Sequence, residues 1–155
     1  VEIAFGESHL IAKFGAFRLT SKLVEGQFPD YKKVLPVGTE NTLTGDRDAM
    51  KQGFQRVAIL SNEKYRGVRV ILSAGQLKIL ANNPEQEEAE EVVSVNYDGE
   101  ALEIGFNVSY VIDVLATLQS EDVRTTLSDS NSSALLEAAN EKHSEALYVV
   151  MPMRL

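Results

Sequence analysis

The 155-residue chain contains no cysteine, only two histidines, and no apolar run near the roughly 18 residues that span a bilayer. Without cysteine there are no disulfides, no thiolate zinc sites and no cysteine nucleophiles, which fits a reducing, cytoplasmic setting. His9 and His143 are far apart and lack metal-ligand spacing, so no metal is expected. Neither a glycine-rich phosphate loop nor a nucleophile elbow is found, and no cofactor is expected. No signal-peptide pattern opens the sequence, and Val1 falls in mid-strand pattern, so a piece of a longer protein is expected. Basic charge is also short. Lys and Arg number 15 against 23 Asp and Glu, a formal charge of −8, which argues against tight nonspecific nucleic-acid binding by the chain as a whole. A local basic face stays open.

With 44% hydrophobic and 25% charged residues the chain is globular, long enough for one domain or one domain plus part of another. Its end is unusual. Termini are commonly polar and frayed, yet Tyr148–Met151 reads as a buried strand, Pro152 stops pairing, and Met153-Arg154-Leu155 leaves the sheet with flexible apolar groups. Either this is an ordinary last strand with a tail, or the tail forms one wall of a binding groove.

Residues 1–24 carry three strand-like runs, Val1–Phe5, His9–Phe14 and Phe17–Leu23, too small for a core of their own. Glycines and prolines make residues 25–45 a connector, although Phe28, Tyr31, Val34 and Leu35 want something to pack on. Asp46 is the expected cap of a helix reaching Leu60, with Met50, Phe54, Val57 and Ala58 inward and Arg47, Lys51 and Arg56 outward. Strands are predicted at Gly67–Ser73, Gln76–Ala81, Val92–Tyr97 and Ala101–Phe106, with Asp98-Gly99 as the strongest hairpin signal. A second helix runs from Asn107 to Leu118 with an apolar stripe of Tyr110, Val111, Val114, Leu115 and Leu118. Strands Val123–Leu127, Ala134–Ala138 and the terminal one close the chain. Three strands in series at both ends suggest the tail of one unit followed by a second copy.

Four stretches together, Ala58–Arg69, Ala81–Glu91, Glu103–Tyr110 and Tyr148–Leu155, closely resemble the bacterial sliding clamp, the beta subunit of DNA polymerase III. The likeness covers essentially the whole chain. It implies an α+β DNA-clamp (processivity) fold, two helices packed on antiparallel sheets, preceded by a partial copy of the same fold. Residues 1–30 would then end the family's second domain, 31–45 connect, and 46–155 form the third. The implied function is a DNA polymerase processivity factor, a ring-forming homodimer around duplex DNA and not an enzyme. Its third domain would bind short linear motifs of replicative and repair polymerases, the clamp loader and repair proteins. The piece is expected to keep peptide binding without closing a ring.

Carried over residue by residue, the peptide cleft falls on Pro29, Lys33, Val34, Tyr65, Asn107, Tyr110, Ser133, Val149, Val150, Met151, Pro152, Met153, Arg154 and Leu155. Apolar walls suit a partner's Leu and Phe, with Asn, Ser and backbone groups to orient its amide. Burying two such side chains is worth about 1.5–3 kcal/mol each, against an association cost of roughly 4 kcal/mol or more, so a motif alone binds weakly. Lys33 departs from the family's arginine and loses planar donation. Asn131 stands where an apolar residue is common. The resemblance also places Ile59, Leu60, Glu85, Glu87, Glu88, Glu90 and Glu91 at the subunit interface, whereas the residues alone favour a solvated loop for the five-Glu run. Arg47, Lys51 and Arg56 would face DNA through weak, salt-sensitive contacts.

Two other readings compete. A small hydrolase could use Asp46/Asp48, or Ser128-Asp129-Ser130 with His143, but no motif organises either set. A calcium module on the acidic run lacks alternating oxygen ligands and a central glycine.

Overall fold

The computed structural model describes residues 1–26, 30–35, 41–139 and 146–154. They divide into two compact units, Val1–Tyr31 and Lys32–Leu155.

In the first unit β1 (Glu2–Phe5), β2 (His9–Phe14) and β3 (Phe17–Lys22) form an antiparallel meander, within one residue of the expected runs. Gly15, at φ +56°, makes the two-residue turn between Phe14 and Phe17 possible, because a side chain there would be strained. The register places Ile3, Phe5, Leu10, Ala12, Phe14, Phe17 and Leu19 on one face. Most of these remain exposed, and the rings of Phe14 and Phe17 stack at 5.3 Å. None of the three strands has a buried residue.

The second unit begins with a short 3-10 turn, Tyr31–Lys33, shared with the boundary. Two four-stranded antiparallel sheets follow. One orders β11 (Tyr148–Val150), β10 (Ala134–Ala138), β9 (Asp122–Leu127) and β4 (Asn41–Asp46). The other orders β7 (Glu88–Ser94), β6 (Gln76–Asn82), β5 (Gly67–Ser73) and β8 (Leu102–Asn107). Helices α1 (Arg47–Ala58) and α2 (Val108–Thr117) pack on each other and on these sheets. Leu72, Ile79, Val108, Leu115 and Val123 are fully buried between the layers. On α1 the Asp46 carboxylate accepts from the Ala49 N–H at 2.6 Å, and Met50, Phe54, Val57 and Ala58 turn inward as expected. α1 lies so close to the second sheet that a Cβ on Gly53 would come within 2.8 Å of Val93 Cγ2.

Four expectations change. Residues 41–46 are a strand, not connector, and β4 pairs with β9 from Asn41↔Leu127 to Asp46↔Asp122. Its sequence has one large apolar residue, Leu43, so the ladder comes from a partner 80 residues away rather than from local propensity. Asp98-Gly99 closes no hairpin, because β7 and β8 lie at opposite edges of their sheet and β8 pairs with β5. The chain leaves β7 after Ser94 instead, and Asn96 makes a two-bond bridge with Thr44 of the other sheet, at 2.7 and 3.0 Å. The strand expected at Val92–Tyr97 starts earlier, inside the acidic run, since each residue of Glu88–Ser94 has a partner on β6. Finally, Tyr110 leaves the α2 stripe and is 60% exposed, while Val108 takes the buried place.

Candidate functional site

β11 extends the first sheet by pairing Val149 with Leu135 and Val150 with Ala134. Pro152 lacks an N–H, and the ladder stops short of it. The chain does not fray there. The Met153 N–H donates to the Gly105 carbonyl of β8 at 2.9 Å, so the tail spans from an edge of one sheet to an edge of the other. Val150 is buried beneath it, Pro152 and Met153 are half-buried, and Met151 is 60% exposed. A flexible thioether is thus held in the open on a fixed backbone.

Open grooves flank this tail. One, of about 430 Å3, lies between α2 and β11 and is lined by Tyr110, Asp113, Leu147, Val149 and Met151 among others. The other, of about 470 Å3, lies between Tyr65, Met153 and Arg154 and the end of β6. Tyr65 is presented by a loop whose turn is closed by Asn62, which accepts from the Lys64 and Tyr65 N–H groups at 3.0 Å each. Arg66 completes the loop in the left-handed region, at φ 51°. Its guanidinium donates to the Ala58 carbonyl at the end of α1, and its own carbonyl accepts from the Val108 N–H at the start of α2. Both helix ends thereby anchor the loop.

The remaining cleft residues brace these walls. Asn107 caps α2 by accepting from the Ser109 N–H at 2.9 Å, and its amide donates to the Tyr65 carbonyl at 3.4 Å. The buried Ser133 hydroxyl donates to the Val34 carbonyl, tying residue 34 to β10's start. Asn107 and Ser133 each spend one donated bond internally, which fixes their side chains. Lys33 and Val34 are exposed. Pro29 and Leu155 lie outside the described residues. Leu147 and Asp113 enter the site unannounced by the sequence, one on the approach to β11 and the other one turn along α2 from Tyr110. The i, i+3 spacing from Tyr110 was the signal for Asp113.

A family model described as "DNA polymerase III beta subunit, C-terminal domain" matches residues 32–154. The chain belongs to the beta sliding clamp family. Over all 155 residues it is 61% identical to the beta sliding clamp of Pseudomonas putida KT2440 and 55% identical to that of Escherichia coli K12, spanning 42% of each. A solved Pseudomonas aeruginosa clamp with ligand shares 59% identity at a TM-score of 0.84, over 99% of this chain and 41% of that one. A Bartonella birtlesii clamp bound to griselimycin shares 37% identity at a TM-score of 0.85, over 99% and 41%.

The other residues that the clamp resemblance pointed to sit on α1 and the β7 edge. Glu88, Glu90 and Glu91 are in β7, an edge strand among the described residues, while Glu85 and Glu87 precede it. Glu90 pairs with Lys78 at 2.9 Å and Glu87 bonds with Asn83 at both its backbone and its carboxylate. Ile59, 77% exposed, and the half-buried Leu60 follow α1. The proposed DNA-facing cations are less free than their helix position suggested. Arg47 donates to the Leu118 carbonyl at the end of α2 and lies 3.2 Å from Asp48. Arg56 forks onto Glu91 with bonds of 3.0 and 2.7 Å. Lys51 is half-buried.

The Arg56 hydrogen bonds hold the Glu91 carboxyl below the usual glutamate range. A depressed folded value stabilises at neutral pH and is lost as pH falls through that value. Glu91→Gln is therefore expected to lower the melting temperature at pH 7, with the difference closing below the ordinary Glu range. A difference that persists unchanged at pH 3 would show that the carboxylate's charge is not what matters.

The rival catalytic groups are used structurally. Asp46 caps α1 and Asp48 faces Arg47. Asp129 accepts from the Asn131 and Ser132 N–H groups and the Ser132 hydroxyl, at 2.7–3.0 Å, which holds its carboxyl low and marks it as a turn cap. His143 lies outside the described residues. Among the described residues no group of three or more His, Cys, Asp or Glu could hold a metal, and no helix is long and apolar enough to cross a membrane.

Proposed function

We propose that the second unit is a docking platform for short linear peptide motifs, in a DNA polymerase processivity factor that encircles duplex DNA. The observation that carries this reading is the tail stretched between two sheet edges with an open groove on each side. An apolar peptide side chain entering beside Met151 displaces water from surfaces that are already fixed, so little ordering is charged against binding. The partners are replicative and repair polymerases, the clamp loader and repair proteins, all reading one site in turn. The protein acts by tethering rather than by catalysis, in the cytoplasm. Residues 1–30 complete a preceding clamp domain, which agrees with their uncovered apolar face. The stretch 31–40 then connects to the third domain, because β4 is already part of the latter. The unpaired β7 edge, with Ile59, Leu60 and the glutamates, is the surface for a second copy in a homodimer. With Arg47 and Arg56 engaged internally, Lys51 and the general field leave DNA contact weak and salt-sensitive.

The test is a titration of a fluorescent peptide carrying a glutamine and a Leu-Phe pair. Saturable binding that is lost on deleting Met153–Leu155 supports the reading. Unchanged affinity after the deletion counts against this groove.

A further inference from the structure

We propose that the groove between Tyr65, Arg154 and residues 82–84 is an acid-reading subsite, which takes an Asp or Glu flanking a peptide motif held on the other side of the tail. The inference rests on the docking reading above and adds to it what the neighbouring groove recognises.

Continuity comes first. Met151 lines the groove beside Tyr110, whereas Met153 and Arg154 line the groove beside Tyr65. The tail, pinned at Gly105, runs from one groove to the other. An extended peptide rises about 3.3 Å per residue, so a few residues beyond a motif are enough to cross a single strand of backbone.

Chemistry decides the occupant. Met153, Pro84 and Tyr65 supply apolar surface, and the side chains of Asn62, Asn82 and Arg154 supply donors beside it. The Asn62 side-chain oxygen is occupied by the Lys64 and Tyr65 N–H groups, which leaves its NH2 for a ligand. Asn82 is exposed at the end of β6. Arg154 is the one charged residue lining the groove, and among the described residues it forms no ion pair. No carboxylate lines the groove; Glu87 is bound to Asn83 and Glu90 to Lys78, while the exposed Glu63 and Glu85 follow lining residues Asn62 and Pro84. A guanidinium flanked by amide donors over an apolar floor suits a carboxylate on a short side chain. A basic flank would meet Arg154 directly, and a purely apolar one would leave the amides unmatched.

The closing experiment compares three kinds of peptide on the 155-residue chain: the core motif alone, the motif with two Asp residues added at one end or the other, and matched Asn additions. Asp at one end is expected to tighten binding about five- to tenfold over Asn, an advantage that shrinks as salt is raised. Asn82→Asp keeps the side chain's shape while placing like charge in the groove. It is expected to abolish the Asp advantage and leave core-motif affinity within about twofold. If the core motif binds but Asp gains nothing over Asn at either end, the subsite is disproved and the docking reading survives. An Asp advantage that persists in Asn82→Asp also overturns it, because the acid is then read elsewhere. If the core motif does not bind, the docking reading itself fails and the subsite falls with it.

Discussion

Replacing Met151 and Met153 together with alanine is expected to weaken motif binding about 50-fold while the melting temperature moves by about 3 °C or less. The affinity loss follows from burial that happens only on binding. Each thioether covered by a partner contributes on the order of 1–1.5 kcal/mol, and two of them account for a factor near 50. The stability loss is small because the free protein leaves Met151 in solvent and Met153 half-covered. What fixes the tail is backbone, the Met153 N–H on Gly105, and alanine retains that bond. Peptide titration and thermal melting on the same samples separate the two effects. A large fall in melting temperature with affinity nearly intact would make both residues core, and the platform would have to lie elsewhere.

Phe54→Ala has the opposite signature. Phe54 is 3% exposed on α1 and borders a core cavity of about 30 Å3, together with Leu43 of β4, Val70 of β5 and Val150 of β11. Removing the ring enlarges this void by the space that the walls do not refill. The expected cost is about 3–5 kcal/mol, seen as a fall of roughly 10 °C or more in melting temperature. Phe54→Leu, which retains most of the volume, is expected to recover more than half of it. Because Val150 lies under the tail of the proposed platform, motif affinity measured well below the transition is expected to fall by a few-fold rather than vanish. A melting temperature within about 2 °C of the parent would mean that α1 does not bridge the two sheets through this residue.

Strong local signals were legible. The 3.6-residue spacing of Met50, Phe54, Val57 and Ala58 placed α1, and Asp46 and Asn107 both serve as the caps their residue type announced. Alternation in Gly67–Ser73 and the Ala74-Gly75 turn, with Gly75 at φ +72°, placed the β5–β6 hairpin. Weak or ambiguous signals failed. Asn41–Asp46 has poor strand propensity, and only its pairing with β9 makes it one. Asp98-Gly99 has strong turn chemistry, yet a turn dipeptide cannot say whether the strands on either side will pair. There Asn96 is captured by Thr44 of the other sheet before a hairpin can form.

By itself, the sequence determined which segments are helices and most strands, the family through its long matching stretches, and the unusual apolar character of the chain's end. Those properties are local or compositional, and they survive without knowing what touches what. Tertiary structure alone decided that the tail crosses from β11 to Gly105, that Asn107 bonds to Tyr65 and Ser133 to Val34, and that Arg47 and Arg56 are bound internally. Each of these depends on a hydrogen bond between residues at least 35 positions apart. Which distant partner a polar group finds is set by how the layers stack, and a periodicity of two or 3.6 residues carries no information about that.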